Sequence, residues 1–370
     1  MRRVSAARAG AASVWKIART TRKKGNRDRM EFVSRNRRPH ASLCSRQIGM
    51  APDAPRGKSP PWVMDWILGT IVRGLIALLQ ALPLEWAARV GRCLGATAWV
   101  VDGRHRGVAI ANITATLGPE LGPDGVLRVA RENFRRIGEN YVCALRTAVM
   151  DDAELVGRLE VTGFGEVLPS DGSSLVVAIP HCGNFELFAR VGRLAPSWTL
   201  AATYRQLRQP VLNGLMLSLR AMSGVRFFER TRDGRLLREA MGRGKLVLGL
   251  LSDQHAGDKG LWIPFLGRDC STIVAPAVYA LRYGTPLCTA VCFRTGLARW
   301  RIEFGPRIPT HGPDGSPRDP AAIMMDVNRA LEVAVRRDPA NWFWVHRRWK
   351  PRSSRQRQAH PDDAQPTPTP

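Results

Sequence analysis

The chain lacks the patterns that identify disulfide-rich, zinc-binding and secreted proteins. Its 370 residues include seven cysteines, but they are irregularly spaced and form no C-x-x-C pair, which argues against a disulfide framework or a zinc ribbon. No second His or Cys stands at metal-ligand spacing from His255, and the amino terminus has no apolar core of a secretory signal. We therefore expect reducing surroundings and neither a metal nor another cofactor.

Acidic residues are scarce relative to basic ones. The 31 Asp and Glu stand against 56 Lys and Arg, a formal net charge of +25 with an isoelectric point near 11.2. This charge indicates an anionic partner: nucleic acid, an anionic membrane surface, or a phosphorylated or carrier-bound substrate. No helix-turn-helix, RNP or zinc-finger pattern is present, so a nucleic-acid-binding protein is only a remote alternative and we expect no nucleic-acid partner.

Both ends of the chain have biased compositions. Residues 1–60 hold sixteen of the Lys and Arg but three of the Asp and Glu. We predict that this segment is a disordered basic arm and expect translation to begin later, at Met50; a transit peptide is the alternative. The low-complexity segment 353–370 is predicted to be a disordered tail. Between them we predict membrane-associated helices over 61–101 and a catalytic domain over 102–352.

The longest apolar run is "WVMDWILGTIVRGLIALLQAL", residues 62–82. It is just long enough to span a bilayer, which takes ~20 residues. Asp65, Arg73 and Gln80 interrupt it, and a central Arg costs about 2.5–3.5 kcal/mol on insertion scales. An amphipathic helix lying in the lipid interface fits the same pattern, and a buried helix of a soluble protein is a further alternative. We expect an apolar N-terminal helix that anchors the chain to a membrane, either spanning or interfacial.

From Leu159 onward, short apolar runs alternate with helical periodicity. Strands are predicted near 174–179, 198–203, 225–228, 245–251, 286–293 and 299–304. Helices are predicted near 184–193, 210–222, 233–242, 274–283 and 319–337. This alternation predicts an α/β fold with a mixed central sheet flanked by helices.

The stretch "VVAIPHCGNFELFARVG", residues 176–192, ends an apolar strand in His181 and places Glu186 five residues later. Ligands of open α/β sheets bind beyond the carboxyl ends of the strands. We predict that Glu186 accepts the Nδ1–H of His181, leaving Nε2 to take a proton. A helix-capping pair is the alternative for these two residues, and Cys182 as a covalent nucleophile is an alternative for the chemistry.

Polar residues follow several other predicted strands. Arg205 follows the strand near 198–203, and Arg230 follows the next strand along the chain. Asp253 directly follows the very apolar run "LVLGLLS", and Asn184 begins the predicted helix after His181. Because strand ends meet at one edge of a sheet, we predict that these four residues bind the substrate.

An ordered series of motifs makes the chain recognisable. In chain order these are the amino-terminal apolar helix, "RHRGVAIAN", the H-x4-D/E motif as "HCGNFELFAR", "YRQLRQPVLN", "SDQHAGDKGLWIPFLGR" and "NWFWVHRRWKPR". The sequence resembles the late acyltransferases of lipid A biosynthesis, the lauroyl/myristoyl transferases, within the lysophospholipid acyltransferase superfamily. The resemblance extends from Trp62 to Arg352. One departure is "RQPVLN", where relatives often carry Asn-Pro and end in Asp.

By that resemblance, His181 is the general base and Glu186 its orienting partner, with Arg205, Arg230 and Asp253 at matching family positions. His346 and Arg347 fall in the closing motif. The resemblance implies direct transfer of a fatty acyl chain from acyl carrier protein or acyl-CoA to a hydroxyl of a lipid A precursor.

The resemblance also implies a place for this reaction, the cytoplasmic face of the inner membrane. Another glycolipid acceptor, such as a phosphatidylinositol mannoside, and a lysophospholipid remain alternatives by the same chemistry. A catalytically inactive membrane scaffold is an alternative of another class, against which His181 and Glu186 both argue.

Overall fold

The computed structural model describes residues 62–207, 209–221 and 223–352. The predicted basic arm over 1–60, the proposed start at Met50 and the predicted tail over 353–370 lie outside these residues.

Helices precede the first strand of the described chain. They are α1 (Trp62–Ala81), α2 (Leu84–Val101), α3 (Gly103–Thr147) and the short α4 (Asp152–Leu155). α3 is broken at Gly122, where φ is +65° and Pro123 follows. Glycine tolerates this left-handed backbone conformation and proline interrupts the helical hydrogen bonds, so the sequence places the break here. Among the described residues, no helix has both the length and the sustained hydropathy needed to cross a bilayer.

The sheet and its helices follow from residue 159. The strands are β1 (Leu159–Thr162), β2 (Leu175–Ile179), β3 (Thr199–Tyr204), β4 (Arg226–Glu229), β5 (Leu246–Leu251), β6 (Leu261–Phe265), β7 (Arg268–Thr272), β8 (Leu287–Gly296) and β9 (Arg299–Ile308). The helices are α5 (Phe164–Val167), α6 (Phe188–Val191), α7 (Pro210–Ala221), α8 (Gly234–Gly242), α9 (Ala275–Tyr283) and α10 (Pro320–Arg337).

The central sheet has the strand order β1-β9-β8-β2-β5-β3-β4. Its pairs are parallel except β8 with β9, so the sheet is mixed, as predicted. β2 lies in the middle, and all five of its residues are buried. A strand that helices cover on both faces has apolar residues at successive positions, which explains the sequence "LVVAI" of β2. β6 and β7 form a separate antiparallel hairpin.

The predicted strands and helices agree closely with the described ones, but three short strands were not predicted and one predicted helix differs. β1 and the β6–β7 hairpin were missed because β1 has only four residues, β6 contains Pro264 and β7 reads "RDCST". The continuous helix predicted over 184–193 is wrong. The chain instead forms a 3₁₀ turn (Phe185–Leu187), α6 and a second 3₁₀ turn (Gly192–Leu194).

Helices α2 and α3 pack closely through glycines. A Cβ on Gly91 would lie 2.5 Å from the carbonyl oxygen of Gly138 and 2.8 Å from the Cα of Glu139. This approach brings Glu139, which is fully buried, against Arg92 of α2 and Arg294 of β8, at 3.2 and 3.0 Å. A buried carboxylate needs such partners, and here they join the helical layer to the sheet.

We expect Gly91→Ala to lower the free energy of unfolding by about 1–3 kcal/mol, because the added methyl group meets backbone atoms that cannot move away independently. Chemical denaturation followed by circular dichroism measures the change. Gly107→Ala is the matched control, since it lies inside α3 with nothing within 4 Å of its added Cβ. The control should be neutral or stabilising by up to about 1 kcal/mol. Equal effects of the two changes would contradict this view of the α2–α3 contact.

Candidate active site

The register of two neighbouring strands brings His181 and Asp253 together. β2 and β5 are parallel, and Ile179 pairs with Leu251. The backbone N–H of Ser252 donates to the carbonyl of Ile179 at 2.9 Å, which continues the register past the strand ends. His181 and Asp253 each follow these paired positions by two residues. The two side chains therefore meet at the carboxyl edge of the sheet, where α/β folds bind ligands.

Asp253 holds His181 through both carboxylate oxygens. The imidazole Nδ1 lies 2.7 Å from Oδ1, and the backbone N–H of His181 donates to Oδ2 at 2.8 Å. The indole N–H of Trp342 donates to the same Oδ2 at 2.7 Å. Because an ionised carboxylate can only accept, Nδ1 carries the proton and Nε2 is left as an acceptor.

The environment of Asp253 keeps its carboxyl ionised. The residue is only 1 % exposed. Burial alone would raise the pKa of Asp253, but its electrostatic interaction with His181 and the three hydrogen bonds described above hold that pKa below its ordinary value. An ionised acceptor at Nδ1 fixes both the tautomer and the orientation of the imidazole.

The predicted contact between Glu186 and the Nδ1 of His181 is wrong, because Asp253 makes that contact instead. Glu186 lies in the 3₁₀ turn after Asn184, and its carboxylate receives Nη2 of Arg220 at 2.6 Å and Nε at 3.4 Å. Arg220 comes from the last turn of α7. Glu186 thus pairs with Arg220 of α7, while the register of β2 and β5 supplies the partner of His181.

His181 opens onto a cavity of about 550 Å³, the histidine cavity. Its wall includes Val72 and Ile76 of α1, several leucines of α7 and the Glu186–Arg220 pair. The rings of Phe185 and Phe343 stand 5.2 and 6.0 Å from the imidazole ring. Nε2 of Gln254 lies 3.4 Å from Nε2 of His181 and is the polar neighbour on the cavity side. The histidine thus faces a roomy and largely apolar space.

A second cavity of about 100 Å³, the apolar chamber, lies against the sheet on the far side of the ion pair. Gly249 of β5, Phe227 of β4 and Val225 contribute to its wall. The two cavities share four lining residues, Phe185, Glu186, Ala189 and Arg220. Glu186 and Arg220 therefore stand at the boundary between the two spaces.

Of the four predicted substrate-binding residues, only Asn184 lines one of the two cavities. Arg205 and Arg230 are exposed and line neither cavity. Their strands, β3 and β4, lie two and three positions from β2, or roughly 10 and 14 Å at strand spacing. Asp253 is buried behind His181 and lines neither cavity. The arginines that line the histidine cavity are instead Arg190 and Arg220, and both lie on helices, where no strand-end signal marks them.

Asn184 and Cys182 follow His181 on a loop shaped by glycine. Gly183 has φ +58°, and a Cβ there would lie 2.4 Å from the carbonyl oxygen of Cys292 on β8, so another residue would be strained. Asn184 lines the histidine cavity, and its Nδ2 donates to Oγ1 of Thr147 at 3.4 Å. Cys182 is buried, and burial raises the pKa of its thiol, which opposes the thiolate that a covalent nucleophile needs.

The closing motif packs around the site as a framework. His346 accepts the backbone N–H of His255 through Nε2 at 3.0 Å, and burial lowers its pKa to about 4, so the ring stays neutral. The buried guanidinium of Arg348 donates to the carbonyl of Gln254 at 3.0 Å. Both contacts fix the loop after Asp253. Among the described residues, no group of three His, Cys, Asp or Glu side chains is placed to hold a metal ion.

A histidine at a strand end, held by a buried carboxylate and open to a largely apolar cavity, suits an enzyme that acts on an apolar substrate. The family model described as bacterial lipid A biosynthesis acyltransferase matches residues 59–351. The match covers most of the chain, and the chain therefore belongs to this family. This match confirms the family inferred from the motifs, and the chain is an acyl-transferring enzyme.

Curated relatives and a solved structure accompany the family match. The chain is 24 % identical over 289 residues to the lipid A biosynthesis palmitoleoyltransferase of Escherichia coli (strain K12), covering 75 % of this chain and 90 % of that protein. It is equally similar to the lipid A biosynthesis acyltransferase of Shigella flexneri. The crystal structure of the 1-acyl-sn-glycerophosphate (LPA) acyltransferase from Thermotoga maritima matches with a TM-score of 0.32 and 13 % identity, covering 69 % of this chain and 99 % of that chain.

Proposed function

We propose that the enzyme transfers a fatty acyl chain from a thioester, carried by acyl carrier protein or coenzyme A, to a hydroxyl of a lipid A precursor. The observation that carries this proposal is the His181–Asp253 pair at the wall of an apolar cavity. The family and the printed activities of the two curated relatives support the lipid A precursor as acceptor.

Nε2 of His181 takes the proton of the acceptor hydroxyl, and the resulting oxygen attacks the thioester carbonyl. Asp253 stabilises the imidazolium that forms. The tetrahedral intermediate then expels the thiolate, which receives the proton from His181 and leaves as a free thiol. No acyl-enzyme forms, in keeping with the burial of Cys182.

Arg220 is the donor best placed to stabilise the oxyanion of that intermediate. Its guanidinium lines the histidine cavity, and Glu186 holds it through two contacts. A preorganised donor directed at the developing charge stabilises the transition state. In this mechanism the glutamate of the H-x4-E motif acts on the carbonyl side of the reaction, and Asp253 acts on the hydroxyl side.

The apolar chamber is suited to the far end of the acyl chain. It adjoins the histidine cavity through the shared residues, and Gly249 lies in the interior of β5, where a glycine weakens a strand. The absence of a side chain there leaves room next to Ile179, whose Cδ1 would stand 3.0 Å from an added Cβ. We therefore assign Gly249 to the deep end of the site that holds the acyl chain.

The acceptor side of the histidine cavity faces α1, which we assign to a lipid surface. One face of α1 contributes Val72 and Ile76 to the cavity wall. The other face is an apolar stripe open to solvent, in which Ile71 and Leu78 are each 63 % exposed and Leu68 and Leu75 are also exposed. Contiguous exposed apolar residues of this kind mark membrane or partner surfaces. A lipid-borne acceptor would then reach His181 along α1, at the cytoplasmic face of the inner membrane.

Two variants should separate general-base catalysis from a covalent route. His181→Ala should lower kcat by about 10²–10⁴-fold, because the proton acceptor is lost. Cys182→Ala should change kcat by less than about threefold, since the thiol is not used. Transfer from an acyl-thioester to a lipid A precursor, followed by mass spectrometry, measures both rates. The reverse order of effects would refute the assignment of His181.

Substitutions in the apolar chamber should shift the preferred acyl chain length in opposite directions. Gly249→Ala reduces the space and should favour shorter donors, whereas Phe227→Ala enlarges it and should favour longer ones. We expect the ratio of kcat/KM between donors that differ by two methylenes to change by about 10-fold, since each methylene is worth about 0.8 kcal/mol. A series of acyl-thioesters measures this ratio. Shifts in the same direction would show that the chamber does not hold the chain end.

Charged substitutions on the exposed stripe of α1 should weaken binding to a membrane. For Leu75→Glu and Leu78→Glu we expect the partition coefficient of the full chain onto vesicles of phosphatidylethanolamine and phosphatidylglycerol to fall about tenfold or more. Sedimentation with vesicles in high salt, which suppresses the general attraction of the basic chain, measures the partition. Val333→Glu on α10 is the control, because Val333 is 69 % exposed but lies away from α1. Equal losses for all three would contradict the assignment of α1.

A further inference from the structure

The closing motif contains a residue that touches the orienting carboxylate of the site. Trp342 is 1 % exposed, and its indole N–H donates to Oδ2 of Asp253 at 2.7 Å. It does not line either cavity, although Asn341 and Phe343 on both sides of it line the histidine cavity. Trp342 therefore reaches the site through Asp253, behind the surface that a substrate would contact.

We propose that Trp342 is a positioning residue for acyl transfer, which sets the orientation and the charge of Asp253 and, through it, of His181. The proposal rests on the general-base role of His181 proposed above. Asp253 Oδ2 accepts the indole N–H of Trp342 and the backbone N–H of His181, so Oδ1 remains directed at Nδ1. Without the indole, a rotation of the carboxylate would cost one hydrogen bond fewer.

The backbone around Trp342 holds it against the catalytic loop. Trp342 pairs with Cys182 in an isolated antiparallel β-bridge, and the N–H of Gly183 donates to the carbonyl of Asn341 at 3.2 Å. From the other side, Nδ2 of Asn133 on α3 donates to the carbonyl of Trp342. The indole donor and the histidine loop are thus parts of one hydrogen-bonded unit, which fixes the distance between them.

The indole also takes up part of the negative charge of Asp253. A hydrogen bond to a charged acceptor stabilises the charge, so a carboxylate that loses this donor attracts the imidazolium more strongly. Removal of the indole N–H should therefore favour the protonated form of His181. The acid limb of the pH profile, where the base is lost by protonation, would move to higher pH.

Two matched tryptophans allow this role to be tested. Trp342→Phe removes the indole N–H at Asp253. Trp344→Phe makes the same change in the same aromatic cluster, where the fully buried Trp344 donates to the carbonyl of Pro339 at 2.7 Å and does not touch Asp253. Both variants lose one buried hydrogen bond and the same volume, and thermal unfolding of each records the structural cost.

For Trp342→Phe we expect kcat to fall about tenfold with KM unchanged, and the acid limb of kcat/KM to rise by about half a pH unit or more. Trp344→Phe should change kcat by less than about threefold and should leave the acid limb of the pH profile at the same pH. Both variants keep the titratable or charged groups that face Asp253 from the elements packed around it, namely His346, Arg348 and Cys182. A difference between the variants therefore reports the indole donor.

A further pair of variants tests whether the effect passes through Asp253. Trp342→His, which restores a ring N–H donor, should recover part of the lost kcat. In an Asp253→Asn background, Trp342→Phe should add no further loss, because interacting residues are not additive. Equal losses in the two tryptophan variants without a shift of the limb, or full additivity with Asp253→Asn, would overturn the proposal. Undiminished transfer by His181→Ala would instead overturn the underlying function, so the two failures are distinguishable.

Discussion

The hydrogen bond between Nδ1 of His181 and Oδ1 of Asp253 is the interaction on which the site depends. It requires that β2 and β5 be parallel neighbours in one register, because each residue follows its strand by the same number of positions. It also requires that a carboxylate with 1 % exposure remain ionised. Burial opposes that charge, and the donors from His181 and Trp342 offset the opposition.

The two acidic residues of the site have separate partners. Asp253 is sealed behind the imidazole, whereas the partly exposed pair of Glu186 and Arg220 forms part of the walls of both cavities. An ion pair that is partly open to solvent adds little to stability. Its position is more informative than its energy, since it stands between the space around His181 and the chamber beside the sheet.

Much of the fold was predictable because its strands and helices carry strong local patterns. β2 is apolar throughout and α10 has regular amphipathic spacing, so their ends were predicted within a residue or two. β1 has only four residues, β6 is interrupted by Pro264 and β7 has little apolar content, so none of the three carries a clear local strand pattern. At the site, His181 follows directly from its strand, but the partner predicted for it, Glu186, was wrong because sequence proximity favoured a residue five positions away.

By itself, the sequence determined the order of the elements, the histidine after β2, the glycine that turns the loop behind it and the family motifs. Only the tertiary structure decided which residues meet. Asp253 lies 72 positions from His181, and Trp342 lies 89 from Asp253. Arg220 reaches Glu186 across 34 positions. Strand order, register and helix packing set these contacts, and those depend on the burial of the whole core, which no local stretch of sequence specifies.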